Sequence, residues 1–76
     1  SDDEFVQLLQ RGGIEWDALP DPVVQLVGSA AAEAARRLSQ LAGREVDVEV
    51  MLDTATQGSV AVRATPSGYS VERLGP

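Results

Sequence analysis

The chain contains no cysteine, no histidine and no lysine, and only three aromatic residues, Phe5, Trp16 and Tyr69. Each absence removes a class of chemistry. Without cysteine there is no disulfide framework and no thiolate nucleophile, and the chain tolerates any redox compartment. Without histidine or cysteine there is no Ser–His or Cys–His pair and no usual zinc site. Without lysine there is no Schiff base, no P-loop lysine and no serine–lysine dyad. All six basic residues are arginine: Arg11, Arg36, Arg37, Arg44, Arg63 and Arg73. No cofactor-binding motif occurs, and neither a phosphate-binding G-x-x-x-x-G-K-[ST] nor a G-x-G-x-x-G run is present. A net charge of −6 disfavours nucleic acid, whose recognition rests on clustered basic residues, and equally disfavours anionic membrane surfaces. No apolar run approaches the roughly 20 residues of a membrane span.

What remains is 76 residues, near the lower limit for a core held without staples. With so few aromatics that core must be built of Val, Leu and Ala. The expectation is one small α+β domain over residues 1–76. The chain starts at Ser1 rather than Met, as an excised segment or a processed product would, so the absence of a visible targeting segment carries little weight; the compartment is left open, a cytoplasmic setting being favoured.

The order of elements follows from local signals. In "SDDEFVQLLQRGG", Ser1 and Glu4 fit a capping box, the early acids suit the helix dipole, and Gly12 ends a short first helix. "IEWDALPDP" reads as a connector, with Trp16 either pinning the loop in the core or presented as an exposed anchor in an acidic rim. Asp21 as N-cap and Pro22 at the first position open a long helix that runs to about Ala42, with Gly43 as its stop. Along it, Val24, Val27, Ala31, Ala34, Leu38 and Leu41 recur at 3,4 spacing. Beside them lies a row of small residues, Gly28, Ala32, Ala35 and Ser39.

Three strands follow. Val46, Val48, Val50 and Leu52 alternate with Asp47, Glu49, Met51 and Asp53. "SVAVRAT" places Val60, Val62 and Ala64 on one face, and "YSVERL" alternates Tyr69, Val71 and Arg73 against Ser70, Glu72 and Leu74. "TPSG" between them has turn chemistry. The predicted architecture is α-α-β-β-β: a short N-terminal helix and a long helix packed on one face of a three-stranded antiparallel meander.

For function, the catalytic inventory is nearly empty, so an enzyme is not expected. The carboxylates Asp47, Glu49 and Asp53 form a row on one strand face, spaced about 7 Å per step. They lack the pattern of a calcium loop, and no metal site is expected. The first expectation is therefore a non-catalytic acidic interaction or adaptor module whose partner is another protein or a second copy of itself. Its candidate surface residues are Trp16, the Gly28/Ala32/Ala35/Ser39 row, Asp47, Glu49 and Tyr69. Self-association through the small-residue face, or strand addition at the edge near Tyr69, would use them. A second expectation is a small acidic chaperone or antitoxin-like protein that masks a basic client. A third is a regulatory appendage of a larger protein.

Overall fold

The computed structural model describes residues 16–76, so the expected first helix lies outside the described residues. Within them the chain forms one helix and a three-stranded antiparallel sheet, an α+β arrangement: α1 (Asp21–Ala42), β1 (Val48–Asp53), β2 (Ser59–Thr65) and β3 (Gly68–Leu74). The strands follow one another in space as in sequence, with β2 at the centre.

α1 begins one residue earlier than a cap at Asp21 would allow. Pro20 is the N-cap, in extended conformation, and its carbonyl accepts the N–H groups of both Val23 (3.1 Å) and Val24 (3.2 Å). The Asp21 carboxylate is thereby released from capping, and its Oδ1 accepts Nη2 of Arg73 on β3 at 2.9 Å. The other end is as expected. Gly43 adopts the left-handed conformation (φ 67°) that a side chain would disfavour, and its N–H reaches the Ser39 carbonyl at 3.0 Å.

Strand alternation carries over directly from sequence. Register pairs Val48 with Ala64, Val50 with Val62 and Leu52 with Val60, and then Ala64 with Tyr69, Val62 with Val71 and Val60 with Arg73. These nine side chains share the face turned to α1, because directly paired residues of an antiparallel ladder point the same way. Pro66 and Ser67 form the two-residue turn between β2 and β3.

The core has two parts. Leu19, Val24, Val60 and Val62 pack together near the start of α1, with Trp16, Val23, Val27, Val50 and Leu52 against them. Ala31, Ala32 and Ala64 form the other part, bordered by Val48 and Val50. Val62 and Ala35 are fully enclosed. Ser39 closes the far end: its Oγ accepts the Val46 N–H at 2.8 Å and donates to the Val46 carbonyl at 3.3 Å, tying the last turns of α1 to the approach to β1.

Candidate interaction surface

Two apolar rows run along α1, and the sheet covers the smaller one. Gly28, Ala32 and Ala35 are buried and Ser39 is half-buried. The Val/Leu row behaves differently. Val24 and Ala31 are buried and Val27 and Ala34 are half-buried, whereas Leu38 is 44% exposed and Leu41 86%. Residues at strict 3,4 spacing recur every 3.5 positions, and a straight helix of 3.6 residues per turn carries such a row around its axis by about 20° per heptad. The row therefore starts beneath the helix and ends beside it. The small-residue row drifts equally but is shorter and lies nearer the centre of the buried side, so it stays over the sheet.

Tyr69 explains why the small residues are needed there. It lies on the α1-facing side of β3, opposite Ala64. A methyl group on Gly28 would sit 2.7 Å from Cγ of the Tyr69 ring and nearer still to Cδ2 and Cε2. The ring thus fills the space that a larger residue at position 28 would take. It remains 39% exposed at its outer edge.

The remaining candidate residues separate. Trp16 is half-buried against the first core cluster, and its carbonyl accepts the Ala55 N–H at 2.9 Å, so it pins the loop and is not an exposed anchor. Glu49 lies on the sheet face away from α1, where Arg63 bridges it to Glu72: Nε donates to Glu49 Oε2 at 2.8 Å and Nη1 to Glu72 Oε2 at 3.2 Å. The hydrogen bond and charge of Glu49, followed by those of Glu72, raise the Arg63 pKa above its ordinary value. Asp53 Oδ1 accepts Ser59 Oγ at 2.6 Å. Asp47 is exposed just before β1. The acidic row is thus partly engaged within the sheet. Tyr69 and the small-residue row come together, while Trp16, Asp47 and Glu49 stay apart from them.

Sequence reasoning placed Ala34, Leu38 and Leu41 in the Val/Leu row but passed over Leu26 and Ala30 beside them on α1. Leu26 is 71% exposed, and with Ala30, the half-buried Ala34, Leu38 and Leu41 it makes a largely apolar stripe along the outward side of the helix, with the Glu33–Arg37 pair set beside it and Val23, half-buried against the first core cluster, at its start. The signal was available: at about 100° per residue, positions 26, 30 and 34 lie on one i,i+4 ridge roughly 100° or more around the helix from Gly28 and Ala35, and Leu38 continues that ridge toward the flank of the buried side. Ala30, Glu33, Ala34 and Arg37 enclose a shallow depression of about 200 Å³ in this stripe, with Arg37 Nη2 on Glu33 Oε1 at 2.9 Å along its rim. A second open depression, of about 320 Å³, lies at the β2–β3 turn between Arg63 and Tyr69.

Among the described residues no polar or charged side chain is buried, and no cluster of acidic residues is grouped to hold a metal ion. No helix among them is long and apolar enough to cross a membrane. No protein-family model matches the chain, and no curated protein or solved structure is significantly similar to it.

Proposed function

We propose that the protein is a non-catalytic interaction module that docks a protein partner on the outward side of α1. The observation that carries this reading is the exposure of Leu26, Leu38 and Leu41 on a helix whose other side is already buried by the sheet. A helix that is apolar on two sides has more burial to offer than one three-stranded sheet can take. The chain's lack of histidine, cysteine and lysine supports the non-catalytic part of the reading. The acidic remainder of the surface serves solubility and partner choice.

The test compares the wild-type chain with a Leu26→Glu/Leu41→Glu variant. Circular dichroism should show the same fold for both, since these side chains are exposed. Tagged wild-type protein incubated with extract of its source should retain a defined partner, a second copy included, and the variant should lose it. Equal retention by both proteins, or no retention by either together with a monomeric wild type, would overturn the reading.

A further inference from the structure

Building on the interaction-module reading, we infer that the partner on this side of α1 is α1 of a second copy, packed antiparallel about a two-fold axis level with position 32. The stripe reads the same from both ends. Val23, Leu26, Ala30, Ala34, Leu38 and Leu41 are separated by 3, 4, 4, 4 and 3 positions. Reversing one helix on another about position 32 sets Val23 against Leu41 of the second copy, Leu26 against Leu38, and Ala30 against Ala34. Large residues thus meet large ones, and alanine meets alanine in the middle. This is the self-complementarity that a two-fold interface demands, since residue i meets j wherever j meets i.

Two further features agree. The depression among Ala30, Glu33, Ala34 and Arg37 has the i, i+3, i+4, i+7 outline into which a facing helix inserts a side chain. Its two alanines let the helix axes approach to about 8 Å. Charge also permits the pairing. α1 holds two acids, Asp21 and Glu33, and two arginines, Arg36 and Arg37, so the whole of the −6 lies outside it. Glu33, which falls closest to the axis, is already paired with Arg37. The alternative of joining two sheets at β1 would bring Glu49 and Asp53 of one copy toward those of the other on one face. A surface made of one helix side buries on the order of 1,000 Å² in total, the small end of specific interfaces, so the dimer is reversible at micromolar concentration.

Sedimentation velocity of the full chain across the micromolar range provides the first measurement. A monomer–dimer equilibrium is expected, weakened at least 30-fold by Leu26→Glu or Leu38→Glu. Because the chain has no cysteine, oxidative cross-linking gives the orientation. Leu26→Cys/Leu38→Cys protein should form a covalent dimer. Either single cysteine should not, its thiols lying about 18 Å apart along antiparallel axes. Monomer at every concentration, dimer that survives both glutamates, or ready cross-linking of a single cysteine would each overturn the proposal. So would a monomer whose melting temperature falls by several degrees on Leu26→Glu, which would mean that residues 1–15 of the same chain cover the stripe. Should the protein prove monomeric yet retain a different partner that the Leu26→Glu/Leu41→Glu variant loses, the second copy is excluded and the module reading stands.

Discussion

Replacing Gly28 with alanine should destabilise this protein, although the same change in an ordinary helix does the opposite. At an unobstructed interior position, Gly→Ala contributes about 1 kcal/mol in favour of the helix, by removing backbone freedom from the unfolded chain. Here the added methyl would lie 2.7 Å from Cγ of Tyr69. That atom is the root of the ring and not its far end, so relief requires the whole side chain, or β3 itself, to move. Overpacking of this kind costs about 1–3 kcal/mol. The outer edge of the ring is exposed, and swinging outward limits the cost to the burial the ring gives up, about 2 kcal/mol. Together these terms leave Gly28→Ala about 1 kcal/mol less stable than wild type, a fall in melting temperature of roughly 4–8 °C for a domain of this size. The decisive measurement is the same substitution made in a Tyr69→Ala background. With the ring absent, the methyl enters open space and the helix preference should reappear, stabilising by about 1 kcal/mol. The effect should therefore change sign between the two backgrounds, a coupling of about 2 kcal/mol in a double-mutant cycle. If Gly28→Ala raises the melting temperature of the wild-type chain, or shifts it equally in both backgrounds, the packing of Tyr69 against α1 is not what the small-residue row is for.

Other substitutions probe separate parts of the fold. Val62→Ala, at the one fully enclosed valine among the described residues, should cost about 2–3 kcal/mol in urea denaturation, the sum of lost methyl burial and the cavity left behind. Ser39→Ala removes the side-chain acceptor of the Val46 N–H and should cost about 1 kcal/mol by the same assay. Arg63→Gln breaks both ion pairs on the outer sheet face; its urea midpoint should fall below wild type at low salt and converge with it at high salt, because exposed pairs are screened.

The strands were legible because their information is local. Val48, Val50 and Leu52 alternate with Glu49, Met51 and Asp53, a one-residue slip would turn every apolar side chain outward, and the structure keeps that register. Gly43 likewise marks the end of α1 by a conformation that glycine favours. The orientation of the helix was less legible. Burial preferences rank leucine and valine above glycine as core residues, yet Leu38 and Leu41 stay outside and Gly28 goes in. The deciding partner, Tyr69, lies 41 positions along the chain and on a different element, so no window on the helix contains it. The same holds for Asp21, which read alone is a helix cap and in the fold is held by Arg73 across 52 positions.

That last contact has a consequence for how the unit can be built into other chains. Asp21 opens the first described element and Arg73 nearly closes the last, so the backbone comes in and goes out at neighbouring points. With Trp16, Leu19 and Pro20 kept at its start, such a unit can be carried by a host loop with a short linker on each side, and its two attachment points can be exchanged. A circular permutant that joins Leu74 to Trp16 through a flexible linker, so that Leu19 and the Pro20 cap are kept, and opens at the Pro66–Ser67 turn should therefore keep the same helix-on-sheet packing. The Arg73–Asp21 pair would then bridge the new connection in place of two distant parts of one chain.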